Sequence, residues 1–539
     1  MDVNKVVSVI REDLFEAIST MTNLRELTVL GCSATPLVLI DAICALLADT
    51  MCLVTLAMPG IAFDEISGTR LIDALLHNYT IKNLSIHISI LHSYMSNELS
   101  EFCHYLATSV QLTSLSMQGV RSDSDNSYTD LKHIVQALVL RGVLEELRLA
   151  DFLLNCECAA LLARLASRDQ GRLRILDVSS CRWCIPESLQ ERRRAYEIQE
   201  DPALLKLTCP WLNAFDHTAP MVLSFLTLSF AGLQPDDLLA LLYVAATVES
   251  LQIISLTHVS RNHLIQVCRI IRQSGMSGRV RLEGAYLVDS PALAELREFP
   301  EAMHGMAISS VSCSSPKAFT DTVQLACTWY KLSTLKLLLT QEVLSDVPMF
   351  HKLSKCLKSA PSISELAFIG SNQPDLDLTL KTANPPHSVL LDVISQNTSL
   401  QALRLSGIRL GKDNLSSLAD QIVASKTISK IFLASWDQTE NDAFLRLLVG
   451  KLCWNNSVTK LRVRASTNGV DGEQWFFIED TITRNIGCLT RAVHFLLGDQ
   501  SPRSEAAFKA LCNAPALWNK YAVLTNGGLV RRTTRNIAG

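Results

Sequence analysis

A short pattern, apolar-x-x-apolar-x-apolar, recurs along the chain and constrains its fold more than any other feature. It starts at Leu24 (LRELTV) and returns at Leu53 (LVTLAM), Ile81 (IKNLSI), Leu112 (LTSLSM), Leu144 (LEELRL) and Leu173 (LRILDV). It continues at Leu223 (LSFLTL), Leu251 (LQIISL), Met303 (MHGMAI), Leu332 (LSTLKL), Ile363 (ISELAF), Leu400 (LQALRL), Ile428 (ISKIFL) and Val458 (VTKLRV). A degenerate copy at Val280-Arg281-Leu282 divides the 52-residue step from Leu251 to Met303. Apart from that step and two other long ones, the copies lie 28 to 32 residues apart. A period of this length marks a supersecondary unit stacked on copies of itself.

Each half of the unit has a physical reading. Apolar positions 1, 4 and 6 suit a short strand that sends side chains into a core. The segment that follows has helical period: after Leu400, the residues Leu415, Leu418 and Ile422 fall on one helix face. Asp413 stands where an N-cap is expected. Pro235 followed by Asp236 and Asp237 suits the opening of another helix, where a missing N–H does no harm and negative charge is favoured. One strand–helix unit cannot bury its apolar edge, but stacked units can, with a parallel sheet inside and helices outside.

This strand–helix repeat of 28–29 residues resembles the ribonuclease-inhibitor-like class of leucine-rich repeats, also found in the sensor half of NOD-like receptors and in Ran GTPase-activating proteins. The resemblance covers residues 1–497. It implies an α/β solenoid (horseshoe) of about 15 repeats, with a concave parallel sheet about 67 Å long at ~4.8 Å per strand and convex helices. The wording of SGIRLGKDNLSSLADQIVASKTISKIFL is similar to repeat proteins of large arthropod expansions. One departure is at motif position 9, where the family often places Asn or Cys. Eight units hold Cys32, Ile61, Val120, Phe152, Cys181, Val259, Ile408 and Trp436 there. Apolar packing is expected to replace the usual side-chain ladder.

The array is interrupted by irregular insertions at about 181–222 and 370–387, both proline-bearing. A short helix within 187–200 is expected in the first. The chain opens in a helical pattern over 3–21, like the second half of a unit whose strand is missing. Helices over 488–497 and 504–524 are read as closing the array, with residues 498–525 as a helical C-terminal cap and 526–539 as a mobile tail.

Composition narrows the functional classes. The 539 residues carry 49 Lys and Arg against 53 Asp and Glu, a net charge of −4. That balance gives no global pull on nucleic acid or anionic membrane. No apolar stretch reaches the length of a membrane span, and the N-terminal apolar run ends at Arg11, so a non-secreted, cytoplasmic protein is expected. The 16 cysteines are scattered through apolar segments and read as reduced core thiols. Five N-x-[ST] sequons, at Asn78, Asn83, Asn397, Asn414 and Asn455, then read as chance matches.

Chemical motifs are absent. The chain has no GxxxxGK[ST] phosphate loop, no HExxH and no GxSxG. Cys181-Arg-Trp-Cys184, with Cys209 and His217 following, offers four possible zinc ligands, but not at finger spacing, and Cys181 is already a core position. No metal, cofactor or catalytic residue is therefore assigned. The run Arg192–Arg194 has no aromatic series beside it and reads as a solvated helix face.

The solenoid reading leaves the inner face as the working surface. Positions 3, 5 and 7 of the motif point outward from the sheet. Early units place Glu26, Thr28, Glu146, Arg148 and Asp177 there, an acidic-leaning set. Middle units place Thr227, Ser229, Ser255, Thr257, Ala307 and Ser309, and late ones Arg404, Lys430, Lys460, Arg462 and Arg464. The late residues form one basic patch suited to an acidic partner surface. The reading is a non-enzymatic scaffold that binds a protein partner through its concave face, without nucleic acid or membrane. The alternatives are a regulatory inhibitor or GTPase-activating protein of the ribonuclease-inhibitor or Ran type, and the sensor part of an innate-immune receptor or ubiquitin-ligase substrate receptor.

Overall fold

A computed structural model describes residues 16–29, 37–91, 97–119, 127–154, 156–166, 172–183, 222–230, 233, 235–259, 261–287, 296–313, 315–340, 342–343, 346–370, 391, 393–394, 396–435, 438–464 and 472–525. The chain packs as two units, residues 1–283 and 284–539. Each is an α/β leucine-rich-repeat solenoid built on an all-parallel sheet whose strands follow chain order. The first unit holds β1 (Glu26–Thr28), β2 (Thr55–Ala57), β3 (Asn83–His87), β4 (Ser114–Gln118), β5 (Glu146–Ala150), β6 (Ile175–Val178), β7 (Phe225–Ser229), β8 (Ile253–Thr257) and β9 (Val280–Leu282). The second holds β10 (Ala285–Leu287), β11 (Gly305–Ser309), β12 (Thr334–Leu339), β13 (Glu365–Gly370), β14 (Ala402–Ser406), β15 (Lys430–Ala434) and β16 (Lys460–Val463). Parallel neighbours need a crossover, and helices such as Leu37–Asp49, Glu65–His77 and Lys412–Ala424 supply it.

The strand count differs from the repeat count at one place. The degenerate copy makes two three-residue strands: β9 closes the first sheet and β10 opens the second. Between them Gly284 takes φ +70, which turns the chain.

The core follows the motif. Leu400, Leu403 and Leu405 are buried, as are Leu53, Leu56 and Met58. The helix after β14 buries Leu415, Leu418 and Ile422, the face its period predicts. Pro235, Asp236 and Asp237 open the helix Pro235–Ala246 as expected. Asp413 is not an N-cap. The helix begins at Lys412 with Gly411 at the cap position. The buried Glu440 of the next repeat reaches back, accepting from Leu410 N at 3.2 Å and Gly411 N at 2.7 Å. An anion from the neighbouring unit thus stands at this helix N-terminus, where the dipole favours it.

Register is set by a repeated backbone clamp. At motif positions 2 and 3, consecutive N–H groups donate to the position-2 carbonyl of the preceding repeat. Val54 and Thr55 donate to Arg25 O, Ser364 and Glu365 to Ser333 O, and Thr459 and Lys460 to Ser429 O, all between 2.8 and 3.0 Å.

Position 8 ends the strand. Gly60, Asp151, His258 and Gly407 take φ between 56 and 72 there, the left-handed region. At Gly370 the need is space instead: a Cβ would collide with Gly407 O on the next repeat.

A buried polar ladder lies three residues before the motif. Asn78, Asn397 and Asn455 are buried. Each accepts through Oδ1 from two backbone N–H groups, at Thr80 and Ile81, Ser399 and Leu400, and Ser457 and Val458. Each donates through Nδ2 to carbonyls of the preceding repeat, such as Leu47 O, Leu357 O and Val423 O. The hydroxyl two residues on, at Thr80, Ser399 or Ser457, also donates to the Oδ1. Three of the five sequons are therefore structural, because the Ser or Thr that completes the motif belongs to the turn. At position 9, Ile61, Phe152, Val259 and Ile408 are buried as expected. Polar ladder contacts persist at Cys181, whose Sγ donates to Leu149 O at 3.2 Å, and at Ser89, which accepts from Phe63 N at 2.9 Å. Cys32, Val120 and Trp436 lie outside the described residues.

The C-terminal helices differ from the expectation. The helix expected over 488–497 is the end of a 25-residue helix, Gly472–Leu496. The one expected over 504–524 is two helices, Pro502–Leu511 and Pro515–Thr525. Pro515 cannot donate within a helix interior, so a new helix starts there. Leu489, Val493, Leu511 and Leu517 form their shared core. Asn485 carries the ladder into the long helix, donating to Asn455 O and Val458 O at 2.9 and 2.8 Å. Most of residues 3–21, the helix expected within 187–200, nearly all of both insertions and the 526–539 tail lie outside the described residues. Among the described residues no helix is long and apolar enough to cross a membrane.

Two stability results are expected. Gly370→Ala should lower stability by about 2 kcal/mol or more, because backbone must shift. Gly450→Ala, in a helix with nothing near the added methyl, should raise it by up to ~1 kcal/mol. Chemical denaturation checks both, and equal effects would refute the close-approach argument. Asn455→Ala should cost at least about 2 kcal/mol by leaving buried groups unpaired, whereas Asn83→Ala, which loses one bond to Thr55 Oγ1, should cost under ~1 kcal/mol.

Candidate partner-binding face

The register of the second sheet arranges its outward side chains in rows. The position-3 row runs Gly305, Thr334, Glu365, Ala402, Lys430 and Lys460 across β11 to β16. The position-5 row runs Ala307, Lys336, Ala367, Arg404, Phe432 and Arg462. Arg464 follows directly after β16; its N–H donates to Leu433 O, and its carbonyl accepts from Asn441 Nδ2 at 2.7 Å. The structure thus brings Arg404, Lys430, Lys460, Arg462 and Arg464 together on three adjacent strands, all exposed.

Three further residues belong to the face: Lys336, Glu365 and Phe432. They occupy positions 3 and 5 of their motifs, so the rule that found the other five also reaches them. Lys336 extends the positive row to β12. Phe432 lies under the Arg404 guanidinium, whose Cζ is 4.4 Å from the ring centroid. Such a cation–π contact holds the guanidinium over the ring. Glu365 is the single carboxylate in these rows, 3.9 Å from Lys430 Nζ. Among the described residues, that long contact is the one ion pair recorded for the six cations. Partial burial, then the charges of Arg462 and Lys430, hold the Lys460 ammonium below the ordinary lysine pKa. These groups, Arg464 excepted, line an open recess of about 320 Å³ together with Ala367.

The face of the first sheet is different. Glu146 accepts from Arg148 Nε at 2.6 Å and from Ser114 Oγ at 3.1 Å. Asp177 accepts from the N–H of Ser179 at 3.0 Å. This pairing offsets Glu146 alone, and Glu26 and Asp177 keep the acidic lean expected there. A recess over Thr55, Asn83, Ser85, Ser114 and Ser116 is also lined by Leu56, Leu84 and the Glu146–Arg148 pair. Glu26 and Thr28 are exposed, but Ser229, Ser255 and Ala307 are buried rather than presented. Ser255 lies beneath Glu283, donating to its Oε1 at 3.2 Å, and the Ala307 methyl stands lower than the Lys336 side chain beside it.

The CxxC candidate resolves only in part. Cys184, Cys209 and His217 lie outside the described residues. The Cys181 thiol is buried, and burial pushes its pKa up to about 12. A thiol in that state is a core residue and a poor thiolate. Cys268 is likewise pushed up to about 12 by burial.

No protein-family model matches the chain, and no curated protein matches it. Among solved structures, the tropomodulin C-terminal domain of Caenorhabditis elegans is 13% identical, over 33% of this chain and 99% of that one, with a TM-score of 0.26. TLR13 in a TLR13–ssRNA13 complex is 11% identical, over 83% of this chain, with a TM-score of 0.28. The chain spans 64% of the length of that TLR13 chain.

Because a raised pKa disfavours the reactive thiolate, Cys181 and Cys268 should resist alkylation in the folded protein. Iodoacetamide at about pH 8, near the ordinary thiol pKa of ~8.5, should modify them more than about a hundredfold faster in denaturant than without it. Mass spectrometry reads the sites, and equal rates would contradict their burial.

Proposed function

We propose that this chain is a non-enzymatic scaffold of the ribonuclease-inhibitor-like repeat class that binds a protein partner, and that the partner presents an acidic surface to the open face of the second sheet. The observation that supports this most is the charge of that face: six cations on neighbouring strands face one carboxylate. Like charges crowd there with one carboxylate to offset them, so an acidic surface gains contact energy and relieves repulsion together. A cytoplasmic location accords with the twelve free cysteines among the described residues. It accords too with three sequon asparagines whose amides are already engaged inside the protein.

Affinity purification with cross-linking, from cells expressing the full chain, tests the reading. The wild type should cross-link an acidic protein to β14–β16. Lys460→Glu, Arg462→Glu and Arg464→Glu combined should reduce that capture at least tenfold, about 1.4 kcal/mol, with unchanged circular dichroism. Undiminished capture by the triple variant refutes the patch.

A further inference from the structure

The cations of the position-5 row alternate with uncharged residues. Lys336, Arg404 and Arg462 stand on β12, β14 and β16, while Ala367 and Phe432 stand on β13 and β15 between them. Neighbouring strands lie about 4.8 Å apart, so successive cations in this row are ~9.6 Å apart at their bases. A polyproline II chain rises ~3.1 Å per residue with three residues per turn, so every third side chain recurs on one side after about 9.3 Å. We infer that the face takes an acidic peptide lying across the strands in extended polyproline II form, with carboxylates at every third residue over Lys336, Arg404 and Arg462. This deepens the reading of the face as a site for an acidic partner and rests on it.

Three features of the face support that spacing. The mismatch between the two periods is about 0.3 Å per step, well within the reach of Lys and Arg side chains. Arg404 is held over Phe432, so part of the ordering it needs on binding is already present. Glu365 sits on β13, in the neighbouring row, beside Ala367. A peptide shifted by one strand would bring an acid over Ala367 and set it against Glu365, so the carboxylate selects the register by repulsion. A single-stranded nucleic acid fits less well. Phe432 is the one aromatic among the described side chains of these rows and is already covered by Arg404, which leaves no stacking platform for successive bases.

Synthetic peptides and the full chain test this by fluorescence anisotropy. The first probe is Asp-Pro-Ala-Asp-Pro-Ala-Asp; the second has the same composition with its three aspartates consecutive. The first should bind at least tenfold more tightly. Lys336→Ala should weaken the first peptide at least threefold and change the second less than twofold. Glu365→Gln should strengthen both and shrink the difference between them, a gain that a misfolded variant cannot give. Equal binding of the two peptides overturns the spacing while leaving the acidic-partner reading intact. Failure of both peptides, with an acidic protein still captured through the patch, also overturns it. Failure of peptides and capture together removes both readings. Tighter binding of an acidic peptide designed as a helix, or of an oligouridylate, overturns the proposal in favour of that ligand.

Discussion

The structure depends on the backbone clamp by which each strand enters the sheet. Two consecutive N–H groups share one carbonyl of the repeat before, as Gln401 and Ala402 share Ser364 O and Ser429 and Lys430 share Gln401 O. A one-residue slip at this point would exchange the core side chains for the outward ones along the whole strand. With the clamp fixed, Leu403 and Leu405 must face the core and Arg404 must face out. The rows of the open face are therefore a consequence of main-chain geometry. The charge on them is the part the sequence is free to vary.

The two ends of the strand are secured by different chemistry. At the entrance, buried asparagines and hydroxyls satisfy the carbonyls left open where the previous helix ends, the groups no helix can pair for itself. Asn455 does this for the helix Lys412–Ala424, reaching Ile422 O, Val423 O and Ser425 O. At the exit, left-handed residues turn the chain in several repeats, and Gly119 and Gly370 stand where a carbonyl of the next repeat comes too close for a Cβ. Entrance polarity and exit sterics explain why repeats of diverse sequence keep one geometry, since neither relies on the leucines.

Much of this was legible in the sequence. The spacing of Leu400, Leu403 and Leu405, and the period of Leu415, Leu418 and Ile422, specify strand and helix because both depend on residues close along the chain. The basic residues of β14 to β16 were legible for the same reason. What escaped depends on contacts between repeats. The sequon at Asn78 reads as a chance match until its amide is seen donating to Leu47 O, 31 residues away. Nothing in the sequence around Gly370 shows that Gly407 O of the next repeat stands against it. Glu440 caps the helix of the preceding repeat, so Asp413, correct by local rule, was not needed there.

The same logic bears on how such a face acquires specificity. A strand's outward residue is almost free of the core, so charge can be placed on it without repacking. Repeats that follow one another lie about 4.8 Å apart in the sheet, and any pattern written at position 5 becomes a ruler with that unit. In the second sheet the pattern is charged, small, charged, aromatic, charged, from Lys336 to Arg462. Net charge is blind to such a ruler, because −4 over the whole chain neither reveals nor opposes it. Affinity for an acidic surface would follow from the number of cations alone. Discrimination among acidic surfaces needs the order as well, and Glu365 amid the cations would matter for that reason: it would lower the total attraction while making one alignment of an acidic ligand better than the next.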